Sequence, residues 1–336
     1  MRRVVSTVLF ALLALAGSLL HPTRVRSDEA AGTKKVTPTS AVAPETIAPK
    51  AGAASPAPLQ TYTLQFQFAK GESSHYAVRQ QNELEVEYNE VAEKTRSQAN
   101  SVRHFKVLDV DGEGVATLEL CIDRCYMTAT QNGTTVTYDS TKPEAEVPSQ
   151  FYQVAAMLGR PSVQIKMSPN GKVVGITSLL GQAVDSLTAD DQKLDVLFTL
   201  PEKPVAIGDQ WSETSKAEVA AAAAIVGGAK ESVTILRKYT LTGVKEGVAT
   251  IGLQTIILTP NIDAEKQTQL VQKLWKGEIR FDIAKGRMLA RRQEISEEVA
   301  GFSNKTGLLT VHNTRLDLFA PADKLAAVDL KPSQQD

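Results

Sequence analysis

Thr61-Tyr-Thr-Leu-Gln-Phe-Gln-Phe68 alternates polar and apolar residues, and this period of two commits the chain to half-buried β-strands. Ser74–Tyr88 and Thr95–Val110 also read as long strands with mixed faces. Tight-turn sequences then space the rest into hairpins. Asp111-Gly112 separates His104–Val110 from Val115–Met127, and Asn132-Gly133 separates that strand from Thr134–Tyr138. Asn170-Gly171 joins Ser162–Met167 to Lys172–Ile176. Lys245-Glu246-Gly247 joins Ile235–Gly243 to Val248–Leu258, and Lys285-Gly286 joins Gly277–Ile283 to Arg287–Ile295. An alternating run, Leu308–Phe319, closes the series.

Three segments switch to helical spacing. Ser149 caps a predicted helix near Ser149–Leu158, which Gly159 and Pro161 end. Leu180, Val184, Leu187, Leu194 and Leu197 form one stripe of a second helix over Leu179–Phe198. Asn261 caps a third over Asn261–Trp275. The small-residue run Ala217–Ala229 fits a strand, a loop or a stub of helix, because Ala favours helix while Gly227-Gly228 ends the run early.

The chain also repeats itself. Gly114-Val-Ala-Thr-Leu-Glu-Leu120 matches Gly247-Val-Ala-Thr-Ile-Gly-Leu253, and each follows a strand and a tight turn. Downstream, Val163–Lys172 resembles Gly277–Arg287, and upstream Ala69-Lys-Gly71 resembles Ala206-Ile-Gly208. The order hairpin–helix–hairpin therefore occurs twice. Two small domains would satisfy this pattern, as would one curved antiparallel sheet. Twist and edge protection favour a curled sheet or open barrel built from two diverged repeats, with about three helices packed on it. The expected fold class is mainly β. The expected boundaries are residues 61–200 for the first repeat, 201–320 for the second and 321–336 for a flexible tail, with 61–320 as one joint domain.

The segments Phe68–Gly71, Val107–Thr117, Val163–Gly175, Leu200–Trp211 and Gly277–Arg287 resemble a family of uncharacterised secreted bacterial proteins, a domain of unknown function. The resemblance spans about Thr61–Phe319. It implies export and an extracytoplasmic β-rich domain, and it brings no catalytic residues. The architecture is also similar to bacterial lipoprotein-carrier folds, which are unclosed barrels with a helical lid.

The N-terminus reads as an address. Arg2 and Arg3 precede an uncharged, mostly apolar run from Val4 to Leu20, and Ala14-Leu15-Ala16 supplies a small-residue cleavage pattern. Residues 1–26 are therefore expected to be a signal peptide cleaved near Ala16, the alternative being an uncleaved anchor. Removal of residues 1–27, with Arg2, Arg3, Arg24 and Arg26 and no acid, would move the formal net charge from −1 to −5. Residues 27–60 hold nine Ala and five Pro with no aromatic residue, the composition of a disordered tether.

Composition excludes several function classes. Balanced charge argues against a nucleic-acid binder, and two Cys cannot build a disulfide-dense scaffold or a four-thiolate zinc site. No local catalytic or phosphate-binding motif occurs. His75, His104 and His312 each stand alone on a predicted strand. Cys121 and Cys125 on one unbroken strand would sit roughly 13 Å apart, so a disulfide requires a turn or bulge at Ile122-Asp123-Arg124. No His neighbours them in sequence, which leaves a zinc or Cys–His reading without support. Asp109-Val-Asp-Gly-Glu-Gly114 opens like a calcium loop, but Leu120 stands where the bidentate Glu belongs. Asp190-Asp191 and Glu297-Glu298 read as solvated faces, and Trp211 and Trp275 as core anchors. Asn132-Gly-Thr134 and Asn304-Lys-Thr306 are glycosylation acceptors in a glycosylating host.

These readings point to an exported, non-catalytic protein of the bacterial cell envelope, periplasmic or secreted. Its expected ligand is a lipid or hydrophobic molecule held in a cavity of the sheet. The alternative is a structural or protein-interaction module whose partner is another envelope protein, and a hydrolase ranks last. No catalytic, cofactor-binding or metal-binding residue and no cofactor is expected. No nucleic-acid partner is expected either, and membrane contact only through the N-terminal segment if it stays uncleaved.

Overall fold

The computed structural model describes residues 60–89, 91–142, 146–179, 197–220 and 230–331. The expected signal segment, nearly all of the tether and the body of the helix expected over Leu179–Phe198 lie outside the described residues. So does the Ala-rich run beyond Ala220. Among the described residues no helix is long and apolar enough to cross a membrane.

The strands are β1 (Thr61–Tyr62), β2 (Ser73–Tyr88), β3 (Val91–Val110), β4 (Ala116–Gln131), β5 (Thr134–Asp139), β6 (Pro161–Met167), β7 (Val173–Ser178), β8 (Val205–Ala206), β9 (Gln210–Ala220), β10 (Lys230–Lys245), β11 (Val248–Ile257), β12 (Lys276–Asp282), β13 (Arg287–Gly301) and β14 (Gly307–Ala320). Helices α1 (Tyr152–Met157), α2 (Ala264–Leu270) and α3 (Phe302–Lys305) are short. Twelve strands form one antiparallel sheet in the order β7-β6-β4-β3-β2-β14-β13-β12-β11-β10-β9, with β5 also paired to β4. The sheet does not close into a barrel: β7 and β9 are its two edges.

The internal repeat is present at the level of single hydrogen bonds. In the first copy β3 and β4 form a hairpin, α1 follows, and β6 and β7 form the next; β10, β11, α2, β12 and β13 repeat this order. Gly71 N donates to Val107 O, and Gly208 N donates to Leu241 O. Both hairpins shift register at the matching place, between Val107 and Asp109 and between Leu241 and Gly243. Buried Ala116, Leu118 and Leu120 of β4 match buried Ala249, Ile251 and Leu253 of β11. The copies join where β2, the first long strand, pairs with β14, the last.

Register fixes the two faces. Tyr76, Val78 and Leu84 of β2 point inward with Val311 and Leu309 of β14, while His75, Glu83 and Glu85 point outward. The strand expected over Thr61–Phe68 is strand only at Thr61 and Tyr62, which pair with Val205 and Ala206. Its remainder keeps the alternation, with Leu64 buried and Phe66 and Phe68 partly so, but bonds to turns instead of to a neighbouring strand. Phe66 N donates to Pro169 O and Gln67 N donates to Gly286 O. This strap runs inside the curl. Phe66 packs against Phe281 and Phe198, each at 5.3 Å between ring centroids, and against the cluster of Leu118, Ile165 and Met167. One side chain touching both halves means that the sheet wraps around it.

Other local expectations change. Asn261 has φ of 55°, which an N-cap does not adopt, and Asp263 caps α2 instead, its Oδ1 accepting from Lys266 N at 2.9 Å. The turn at Asp111-Gly112 takes its positive φ at Gly114, while Asp111 Oδ1 accepts from Glu113 N and Val115 N. That use of Asp111, with Asp109 paired to Lys70 at 2.9 Å, leaves no calcium loop. Leu197 and Phe198 are not helical. Part of the segment expected as a flexible tail packs on the outer face. Residues 322–327 form a 3-10 helix, and Leu330 is buried, its carbonyl accepting from Asn100 Nδ2.

Candidate functional site

Because the sheet stays open, a cleft of about 790 Å³ lies between its two edges. The turn before β7 supplies Asn170–Val173, β9 supplies Gln210–Lys216, and residues 197–205 run between them. Val173, Leu197, Phe198, Leu200, Val205 and Trp211 give it an apolar floor, and Lys172, Lys203 and Glu213 lie among the polar lining.

The lining is held from several sides. Leu200 N donates to Asn170 O at 2.7 Å, tying the central segment to one edge. Trp211 Nε1 donates to Thr199 O at 2.8 Å, tying it to the other. The Trp211 ring stacks on Tyr239 with centroids 5.6 Å apart, and Tyr239 OH donates to Glu213 Oε1 at 2.8 Å. Burial pushes the Tyr239 phenol above the ordinary tyrosine range, so it stays a donor. Gly171, at φ of 80°, lets Phe198 O come within 2.3 Å of where a Cβ would stand. No other residue type fits there without moving the segment that crosses the cleft.

A polar belt crosses the inner face between two apolar layers. Arg291 Nε donates to Asp317 Oδ2 at 2.7 Å, and Arg315 donates to both Asp317 oxygens. Asn313 and Gln293 are buried beside them. Arg103 Nε donates to Ser101 Oγ at 2.9 Å. Burial opposes ionisation of Asp317, but Arg291 and Arg315 outweigh it and hold the carboxyl well below the usual range. Burial, then the neighbouring Arg315, lowers the Arg103 guanidinium to about 10. This belt has a signal in the sequence. Asn313, Arg315 and Asp317 share the parity of the buried residues Leu309 and Val311, so polar side chains occupy inward positions.

The residues singled out in the sequence fall into different places. Trp211 lines the cleft, while Trp275 is buried with Leu84, Val271 and Ile295. Glu297 and Glu298 line a second recess of about 330 Å³ beside α2, and Asp190-Asp191 lies outside the described residues. His312 faces outward with its Nδ1 at 3.1 Å from Ser296 Oγ. His75 and His104 do not stand alone. They are cross-strand neighbours on β2 and β3, and Cys121 faces His104 from β4. The register of β3 and β4 slips between Val102↔Arg124 and Arg103↔Ile122, so Asp123 is an extra, bulged residue. The bulge brings its carboxylate to 2.7 Å from His104 Nδ1. It also reverses the parity of β4, so Cys121 points to the outer face and Cys125 to the inner. Both are free, buried thiols. Burial, then Asp123, pushes Cys121 up to about 11, and burial pushes Cys125 to the same value. Burial, then His104, holds His75 below the ordinary histidine value, with Asp123 opposing them.

Residues 113–196 match a family of unknown function, DUF6263. This agrees with the resemblance to an uncharacterised family over Val163–Gly175 and the end of Val107–Thr117; the other three segments lie outside the match. No curated protein matches the sequence. Several solved structures match the chain at low similarity. One concerns lipid–protein interactions in lipovitellin, with 10% identity, a TM-score of 0.40 and 80% of this chain covered; the chain spans 26% of that one. Another is DynF from the dynemicin biosynthesis pathway of Micromonospora chersina, at 5% identity and a TM-score of 0.19, with 80% of this chain and 89% of DynF covered. A DUF1329 family protein from Desulfovibrio piger has 8% identity and a TM-score of 0.12, with 77% of this chain and 92% of that chain covered.

Proposed function

We propose that the chain is an exported, non-catalytic binding module of the bacterial cell envelope that holds a lipid or other hydrophobic ligand in the cleft between its sheet edges. The observation that carries this reading is the cleft itself. About 790 Å³ of space with an apolar floor sits where the sheet fails to close, within the range of small-molecule sites. The fixed segment across it, anchored at Leu200 N and Trp211 Nε1, gives the cleft a preformed wall. Lys172 and Lys203 lie among its lining residues and offer a polar end to an amphiphile. Export rests on the N-terminal address in the sequence.

The test is native mass spectrometry of the protein purified from its host, followed by delipidation and titration with a fluorescent fatty-acid probe. Saturable binding is expected. Ser215→Phe, which adds bulk to the cleft lining, is expected to weaken it at least tenfold, with circular dichroism checking that the sheet is intact. Absence of both a copurified ligand and saturable probe binding refutes the proposal, as does undiminished binding by the Ser215→Phe protein.

A further inference from the structure

On the outer face of the sheet, away from the cleft, we infer a divalent transition-metal site of the zinc class, built from His75, His104 and Asp123 with Cys121 as the fourth donor. Three adjacent strands contribute to it. His75 on β2 faces His104 on β3, and His104 faces Cys121 on β4. One donor atom each from His75, His104 and Asp123 lies within 4.8 Å of the others. Donors around a tetrahedral zinc at roughly 2.0–2.3 Å stand about 3.3–3.8 Å apart. Side-chain movements of about 1–1.5 Å therefore bring His75, His104 and Asp123 to coordinating distance, with no change in strand register. The His75 and His104 rings already lie side by side, centroids 5.1 Å apart. Cys121 stands across from His104 on the same face of the sheet and joins the set by turning its side chain toward these three donors.

The surroundings suit an ion that exchanges with solvent. The His104 and Asp123 side chains are 23% and 32% exposed, while Cys121 is buried. Two imidazoles, a carboxylate and a thiol form a borderline donor set, which favours zinc over the oxygen-seeking calcium and magnesium. On binding, the metal replaces the proton shared by His104 Nδ1 and Asp123 Oδ1 and the proton on Cys121, and both pass to solvent.

The second repeat provides an internal control. Its matching cross-strand positions on β9, β10 and β11 hold Ser212, Lys238 and Gln254, paired through the same registers. The sheet is built there without one metal donor. The pleat does not demand His, His and Cys at these places, and the bulge that aims Asp123 at them has no partner in β11, whose register with β10 shifts only at Leu241 and Gly243. Bulges of this kind re-aim side chains at functional sites.

Calorimetric titration of the untagged, chelator-treated protein with zinc is expected to show one ion per chain at micromolar protein. Cobalt substitution is expected to give the absorption of a tetrahedral site with a sulfur-to-metal charge-transfer band. His104→Ala and Asp123→Ala each weaken zinc binding at least tenfold, and His75→Ala does the same. Cys121→Ser abolishes the charge-transfer band, whereas Cys125→Ser and His312→Ala change neither affinity nor spectrum. Circular dichroism of each variant checks that the sheet is intact. Failure of the parent protein to bind zinc overturns the inference, as does undiminished binding by a folded His104→Ala protein. A cobalt spectrum unaffected by Cys121→Ser removes the cysteine from the donor set and overturns that part.

Discussion

Replacing Gly171 by Ala tests whether the turn before β7 clamps the inner segments. Gly133 is the reference, because its φ of 78° is close to the 80° of Gly171 and nothing lies within 4 Å of its added Cβ. An L-residue in this left-handed region costs about 1–2 kcal/mol, and this part is common to both variants. So is the smaller opposing gain from a stiffer unfolded chain. At Gly171 the new Cβ meets Phe198 O at 2.3 Å and Phe66 Cε2 at 2.9 Å, where ordinary contact begins at 3.4 Å. The Phe198 backbone must retreat by about 1 Å, the gap between those distances. Such a shift breaks the Leu200 N to Asn170 O bond, worth about 0.5–1.5 kcal/mol. It also loosens the Phe66–Phe198 ring contact, worth a similar about 0.5–1.5 kcal/mol. Urea denaturation should therefore place Gly171→Ala about 2 kcal/mol below Gly133→Ala. Midpoints for the two proteins that agree to within about half a kcal/mol would refute the clamp.

Two further outcomes follow from the buried groups. Asp317 has a depressed carboxyl, so its stabilisation is complete above the unfolded carboxylate value of about 4 and is lost as pH falls below it. Asp317's contribution to urea midpoints should hold from pH 7 to about pH 5 and fall from about pH 4 downward, so the parent protein drops more steeply there than Asp317→Asn, which starts lower. Neither Cys121 nor Cys125 should be alkylated in the native protein at neutral pH, since both thiols are buried and raised to about 11. Mass spectrometry should find two labels only after denaturant, and one intramolecular disulfide in the native protein would contradict the opposite facing of the two side chains.

Strand content, hairpin turns and the internal repeat were legible in the sequence because each has a local signature. Asn132-Gly133 and Glu246-Gly247 take the paired positive φ values that their sequences favour. The Val-Ala-Thr repeat maps onto matching buried positions. What escaped was everything that depends on register between strands. The bulge at Asp123 shows along β4 only as a change of parity, from Leu118, Leu120 and Ile122 to Cys125 and Met127, yet it separates the two cysteines and assembles His75, His104 and Asp123. Thr61–Phe68 printed its alternation faithfully, but its hydrogen-bond partners are turns more than a hundred residues away. The 3-10 helix at residues 322–327 is too short to print a helical period, and Arg124 of β4 holds it by donating to Leu325 O and Val328 O.

The strap has a consequence for the order of events in folding. Synthesis delivers Leu64–Phe68 before β2 to β14. Its bond to Gly286, and the pairing of β2 with β14, wait for residues more than two hundred positions later. Contacts of such long sequence separation form late and slowly. Leu64–Phe68 are thus made early and locked late, and Phe66 and Phe68 lack their packing partners in the interval.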